Sequence, residues 1–235
     1  MPDQVLVAMV AAFGCGLAAL LVPALIARIP EPAPADDAEP AAEAEPKLLY
    51  RDIASARGLA LRAALVAAAI GGALGASLGA EWELLIVLPL VPLGVALAVV
   101  DWHTRLLPKA VVAPIYLLTI ITCLACAAIT GEPENLRSAA IGWVFLGGLY
   151  LVLWFIYPPG MGYGDVRLAG VLGIALGYLG YQSTVYGLLL GLMFGGFGGA
   201  LLSLLRVVDR KNCPFGPFLL AGAAAGIVLA GLVAG

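Results

Sequence analysis

Two aspartates lie where carboxylates are unusual, at the ends of strongly apolar segments. Asp165 ends the glycine-rich sequence Gly-Met-Gly-Tyr-Gly-Asp at 160–165, which separates two apolar stretches, and Asp101 follows the apolar run 84–100. A charged side chain at membrane depth is costly unless it is paired, hydrated or protonated, so an acid in such a place indicates a functional site. Two acids at matching depth on different helices predict a proteolytic dyad.

Two neighbouring carboxylates are suited to hydrolysis by acid–base chemistry. Held a few ångströms apart, they titrate as a coupled pair, and one of them keeps its proton near neutral pH. The ionised acid then takes a proton from water, while the protonated acid polarises the scissile carbonyl and later protonates the leaving amine. Gly162 and Gly164 allow a peptide backbone to approach closely. The residues therefore predict a peptidase with Asp101 and Asp165 as its catalytic acids.

The composition places these acids in a membrane protein. The chain is 63% hydrophobic and only 11% charged, whereas soluble domains contain roughly 25% charged residues, so a soluble globular protein is excluded. A spanning helix needs about 20 apolar residues. The sequence predicts an all-α polytopic membrane protein with about eight transmembrane helices. They are expected near Val5 to Ala27, Leu59 to Gly79, Leu84 to Val100, Ala110 to Thr130, Ala139 to Tyr157, Val166 to Leu179, Thr184 to Leu205 and Pro217 to Ala234.

The basic residues predict the orientation of these helices. Cytoplasmic loops of membrane proteins are enriched in lysine and arginine. If the N-terminus is outside, all but one of the 12 basic residues fall on the cytoplasmic side, and the exception is Arg137. Asp101 and Asp165 then both face the cytoplasm.

The chain divides into an N-terminal transmembrane anchor at 1–29, an acidic Pro/Ala-rich cytoplasmic linker at 30–57 and a membrane core at 58–235. From Pro30 to Pro46 the linker is built of proline, alanine and acids, so we expect it to be disordered. A solvated spacer is the favoured interpretation. An acidic lure for a basic substrate segment is the alternative.

Cysteine and histidine positions predict no metal centre. Cys123 and Cys126 form a CxxC inside an apolar span, but a structural zinc ion needs four ligands. Buried thiols are the expected outcome there, and Cys15 and Cys213 stand alone. His103, the single histidine, has no partner histidine and is interpreted as an interfacial residue.

Glycines recur every fourth residue in two of the spans, a spacing that lets helix backbones approach closely in a membrane. We interpret these glycines as packing positions without chemistry. They are Gly71, Gly75 and Gly79 in the second span, and Gly187, Gly191, Gly195 and Gly199 in the seventh.

A proton- or ion-coupled transporter is the alternative function, since intramembrane carboxylates such as Asp101 and Asp165 also serve as relays. Transporters often consist of two similar halves with broken helices. This chain has no convincing repeat of that kind, so the pattern favours the peptidase.

Three motifs together resemble the type IV prepilin peptidases, and they occur in the same order as in that family. The sequence Gly-Tyr-Gly-Asp at 162–165 resembles the family's GxGD signature, with Arg167 where a lysine is frequent. Asp101, followed by Leu-Pro at 107–108, resembles the first catalytic aspartate. The sequence Pro214-Phe215-Gly216-Pro217 resembles a late conserved loop.

The resemblance implies an aspartic endopeptidase of the bacterial inner membrane that works without a metal or other cofactor. Such an enzyme removes the short basic leader of prepilins or pseudopilins on the cytoplasmic side, and serves type IV pilus assembly or protein secretion. The implied partners are this substrate protein and membrane lipid, with no nucleic acid. Gly162, Gly164 and the loop Pro214, Phe215, Gly216 and Pro217 are implied to shape the active site or bind substrate.

One region departs from the longer, bifunctional members of that family. Their first cytoplasmic loop carries paired CxxC motifs in a small domain that is associated with N-methylation. This chain has the acidic linker 30–57 at that place, without a cysteine. Neither the zinc nor the S-adenosylmethionine-dependent methyltransferase activity is therefore expected.

Overall fold

The computed structural model describes residues 2–31, 49–156, 161–205 and 214–234. These residues form α-helices joined by short turns, and π-helical segments at Trp143–Gly147 and Phe194–Gly198 connect α7 to α8 and α10 to α11. The helices are α1 Pro2–Ala19, α2 Val22–Ala27, α3 Tyr50–Ala54, α4 Leu59–Leu78, α5 Leu84–Thr104, α6 Lys109–Thr130, α7 Glu134–Gly142, α8 Gly148–Ile156, α9 Tyr163–Leu179, α10 Tyr181–Met193, α11 Gly199–Leu204 and α12 Gly216–Ala234.

Within the described residues, 7 helical segments are long and apolar enough to cross a membrane. The all-α polytopic fold is therefore confirmed. Each segment corresponds to one of the expected spans. They are Asp3–Ala27, Leu59–Leu78, Leu84–Thr104, Lys109–Thr130, Glu134–Ile156, Tyr181–Leu201 and Gly216–Val233.

The sixth expected span, Val166 to Leu179, forms most of α9 and differs from the other seven. With 17 residues, α9 is about 26 Å long, slightly less than a bilayer core of about 30 Å. Nearly all of its residues are buried, because α6, α7, α8, α10 and α12 pack around it. This segment is therefore the centre of the bundle, and its N-terminal end carries Asp165.

The glycines that recur every fourth residue in the second and seventh spans lie where helices approach closely. A Cβ atom on Gly71 would lie 2.8 Å from the backbone oxygen of Ala11, in the contact between α4 and α1. In the contact between α10 and α12, Gly187 and Gly191 of α10 meet glycines of α12. The packing role is confirmed for these positions. Gly79 instead ends α4 with a φ of 68°.

The predicted buried thiols are also confirmed. Cys123 and Cys126 are buried in α6, and Cys15 is buried in α1, whereas Cys213 lies outside the described residues. His103 is exposed, with its Nδ1 atom 2.8 Å from the carbonyl oxygen of Val99. Among the residues that the structure describes, no group of three or more histidine, cysteine, aspartate or glutamate residues could hold a metal ion.

A short helix that the sequence analysis did not predict lies at the C-terminal end of the linker. The carboxylate of Glu31 accepts hydrogen bonds from the backbone N–H groups of Tyr50 (3.1 Å) and Arg51 (3.3 Å), the first residues of α3. An acid at a helix N-terminus satisfies free N–H groups there and interacts favourably with the helix dipole. Tyr50 and Ile53 are buried against the bundle. Residues 32–48, most of the predicted linker, lie outside the described residues.

The first prediction compares two glycine-to-alanine changes in the α1–α4 pair. Alanine at position 71 would overlap Cys15 and the backbone of Ala11, so Gly71→Ala should lower the free energy of unfolding by about 1–3 kcal/mol. No described residue lies within 4 Å of a Cβ at Gly14, so Gly14→Ala should be neutral or stabilise by up to about 1 kcal/mol, since alanine favours the helix. Thermal unfolding in detergent measures both changes. Equal melting temperatures for the two variants would contradict the close packing of α1 and α4.

Candidate active site

Asp101 lies in the last turn of α5 and is 4% exposed. The helix ends because Arg105 adopts a left-handed conformation with a φ of 56°, and its N–H donates to the carbonyl oxygen of Asp101 at 2.8 Å. A positive φ is uncommon for a residue with a side chain, and here it turns the chain sharply into Leu107 and Pro108. The turn leaves the Asp101 carboxylate at the end of the helix and inside the protein.

Asp165 lies in the first turn of α9 and is 6% exposed. Its Oδ2 atom accepts a hydrogen bond of 3.1 Å from the backbone N–H of Gly162, the residue that precedes the helix. This is the acidic half of a capping box, in which the third helical residue reaches back to the N-cap. The spacing of Gly162 and Asp165 therefore fixes the carboxylate at the helix N-terminus.

The late loop supplies the partner of Asp101. The backbone N–H of Gly216, at the start of α12, donates to Asp101 Oδ2 at 2.9 Å. A Cβ atom on Gly216 would lie only 2.8 Å from the same oxygen. Position 216 therefore brings a backbone donor to the carboxylate at a distance where a side chain would collide with it.

The other predicted site residues differ in their packing. Gly164 allows α9 to pack on the turn after α5, because a Cβ there would lie 2.7 Å from the Cβ of Leu107. Pro214 is buried, and the Phe215 ring packs against Tyr150 at a centroid distance of 6.2 Å. Pro217, by contrast, lines an apolar cavity that does not contain the aspartates.

Asp101 and Asp165 line one cavity of about 380 Å³, and their carboxylates interact electrostatically. The structure thus brings together the two acids that the sequence analysis paired. We refer to this space as the catalytic cavity, after the role that the sequence predicts for the two acids. Its other lining residues are Pro30, Tyr50, Arg105, Leu106, Leu107, Pro108, Lys109, Ala110, Gly162, Tyr163 and Gly164.

Two tyrosines that the sequence analysis missed line this cavity. Burial and the charge of Glu31 raise the pKa of the Tyr50 phenol, and a hydrogen bond with Thr104 lowers it less. Tyr50 is therefore a neutral side chain at physiological pH. The Tyr163 ring lies under the Arg167 guanidinium, 4.7 Å from its centroid, and this contact holds it at the cavity wall.

A third tyrosine lies behind Asp165. Tyr150 of α8 is fully buried, and its hydroxyl has no hydrogen-bond partner among the described residues. The Oδ1 atom of Asp165 is also buried without a hydrogen-bond partner among the described residues. The two side chains interact electrostatically. Buried polar groups without partners are rare and costly, so this pair is an unusual feature of the packing around Asp165. Tyr150 lies within an apolar run, and nothing in the local sequence distinguishes it.

The sequence matches the model of the type IV leader peptidase family over residues 88–230, which include both aspartates and the late loop. It is similar to proteins named prepilin leader peptidase/N-methyltransferase. One from Aeromonas hydrophila is 36% identical over 147 residues, 59% of this chain and 47% of the relative. One from Pseudomonas putida is 32% identical over 149 residues, 60% of this chain and 48% of the relative.

A third relative with the same name, from Escherichia coli K12, is 30% identical over 128 residues, 54% of this chain and 55% of the relative. The chain spans about half the length of the curated relatives it matches. No solved structure matches it.

Proposed function

Because the chain belongs to the type IV leader peptidase family, we propose that it is an aspartic endopeptidase that removes the short basic leader from type IV prepilins or pseudopilins. The observation that carries this proposal is the pair of buried carboxylates, Asp101 and Asp165, on one cavity between different helices. An acid pair of this kind has the chemistry of peptide hydrolysis and needs no metal.

In the proposed reaction the two acids share one proton. The ionised carboxylate takes a proton from a water molecule as the water oxygen attacks the scissile carbonyl carbon, and the protonated carboxyl group donates its proton to the carbonyl oxygen. The resulting diol collapses, the C–N bond breaks, and the amine nitrogen takes a proton from the acid that accepted it. The second acid recovers its proton from the diol, so the pair ends as it began.

The backbone donors give this pair its fixed geometry. Gly216 and Gly162 each donate an N–H to the Oδ2 atom of Asp101 and Asp165, respectively, while the Oδ1 atom of Asp165 is buried beside Tyr150 without a hydrogen bond among the described residues. Because the donors belong to helix N-termini, they also stabilise negative charge during the reaction.

For the orientation, we propose an N-terminus outside and a catalytic cavity that opens to the cytoplasm of the bacterial inner membrane. Residues at the helix ends that are expected on the cytoplasmic side support this proposal, because they lie together. Pro30, Tyr50, Lys109 and Asp165 line a single cavity. The basic residues of the same ends, which include Arg105 and Lys109, then lie inside the cell.

The proposal comprises peptidase activity alone. N-methyltransferase occurs in the names of the relatives, and this chain spans only about half the length of each. The loop in which the longer members of the family carry paired cysteines has none in this chain.

The second prediction is that Asp101→Asn and Asp165→Asn each abolish leader cleavage, lowering the rate by about 10³-fold or more, because an amide cannot exchange the shared proton. Asp52→Asn makes the same chemical change at an exposed residue of α3 and should leave cleavage intact. The assay follows the shortening of a prepilin in membranes that contain the wild-type or variant protein. A near wild-type rate for either active-site variant, or a wild-type protein that cleaves no prepilin, would contradict the proposal.

The third prediction concerns Tyr150, whose hydroxyl we expect to position Asp165 during the reaction. Tyr150→Phe should lower kcat about tenfold, the effect of one lost hydrogen bond of about 1.4 kcal/mol. KM should hardly change, and the melting temperature should not fall, because the ring stays and an unpaired buried hydroxyl is removed. Tyr178→Phe makes the same change at a buried tyrosine in the cluster with Cys123 and Cys126, and should keep full activity. An unchanged kcat for Tyr150→Phe would show that the hydroxyl has no part in catalysis.

The fourth prediction tests the orientation with single cysteines in a variant whose native cysteines are replaced by alanine. Lys109→Cys in the catalytic cavity should react with a membrane-impermeant maleimide in inside-out vesicles only. Glu132→Cys, in the exposed turn after α6, should react only from the opposite side. Leu117→Cys is 60% exposed on α6 but faces lipid, and should not react from either side. Labelling of Lys109→Cys in right-side-out cells would reverse the proposed orientation.

A further inference from the structure

An apolar groove between α2, α5 and α6 lies next to the catalytic cavity. This α2–α5–α6 groove has a volume of about 430 Å³, and two of its lining residues, Pro30 and Ala110, also line the catalytic cavity. The groove therefore adjoins the cavity that holds the two acids.

The lining residues form continuous faces of two helices. On α5 they are Leu93, Ala96, Leu97 and Val100, the spacing of a single helix face. On α6 they extend from Ala110 to Leu118, which corresponds to about 12 Å of helix, or roughly two turns. The groove is thus long enough for one face of about two turns of a helix that lies alongside α5 and α6.

The catalytic cavity and the adjoining groove differ in the polarity of their lining residues. The catalytic cavity presents two carboxylates together with Arg105 and Lys109. Among the described residues that line the groove, Arg28 alone is charged, and almost all the others are apolar. A chain that occupied both spaces would have to be polar on one side of the scissile bond and apolar on the other.

Resting on the proposed peptidase function, we propose that the α2–α5–α6 groove binds the apolar segment that follows the scissile bond of the substrate protein. The polar leader then occupies the catalytic cavity, and the groove sets the depth at which the scissile bond meets Asp101 and Asp165. The wall that the groove shares with the catalytic cavity, at Pro30 and Ala110, distinguishes this site from a surface that is covered by lipid alone.

A second apolar groove in the same protein provides an internal control. It lies between α4, α5, α9 and α12, has a volume of about 480 Å³ and shares none of its described lining residues with the catalytic cavity. Ile70 lines this control groove and Leu118 lines the α2–α5–α6 groove, and both are partly buried aliphatic residues. The pair therefore allows the same substitution in two similar environments.

The fifth prediction is that Leu118→Trp, which fills the α2–α5–α6 groove, raises KM for a prepilin about tenfold with little change in kcat, because it removes uniform substrate binding. Ile70→Trp should change neither constant. If Leu118→Trp reduces the amount of inserted protein, Leu25→Trp on the opposite wall serves in its place. An unchanged KM for the variant that is folded overturns the inference.

Photo-crosslinking gives an independent readout of the occupant. p-Benzoylphenylalanine at position 118, in the Asp165→Asn background, should crosslink to the apolar segment of a prepilin that the wild-type protein cleaves. The same probe at position 70 should not. Crosslinks to lipid alone, or equal prepilin crosslinks at both positions, overturn the inference while the peptidase function stands. If the wild-type protein cleaves no prepilin, both proposals fall.

Discussion

Two carboxylates buried in an apolar bundle need hydrogen-bond donors, and both find them at helix N-termini. Asp165 accepts the N–H of Gly162 before its own helix, and Asp101 accepts the N–H of Gly216 at the start of α12. Backbone donors at a helix N-terminus stabilise negative charge without adding a compensating cation. The arrangement holds one oxygen of each acid in place.

This arrangement explains why backbone rather than side-chain contacts dominate around the acids. A donor that is part of the backbone can approach only where no Cβ intervenes, and Gly216 meets that condition beside Asp101. Gly164 serves the same purpose for the turn at Leu107, which follows the Asp101 helix. The glycines therefore determine the distance between α5, α9 and α12, and with it the separation of the two carboxylates.

The surroundings of Asp101 and Asp165 differ in polarity from one part of the site to another. α9 is enclosed by protein on nearly all sides, so Asp165 is shielded from lipid. The catalytic cavity is lined by charged and phenolic side chains, among them Tyr50, which Glu31 and the bundle hold in place. The α2–α5–α6 groove is apolar. Both environments lie next to Asp101 and Asp165.

The sequence by itself determined the helical membrane fold, because each span must bury its own backbone hydrogen bonds within an apolar stretch of sufficient length. It also identified Asp101 and Asp165, since charged residues are conspicuous in such stretches. Only the tertiary structure decided that the partner of Asp101 is Gly216, 115 residues away, and that Tyr150 lies behind Asp165. Hydropathy could not reveal that α9 is enclosed by other helices, because an apolar residue is equally suited to contact with lipid and with protein. Those features depend on which helix faces meet, and local sequence carries no information about that.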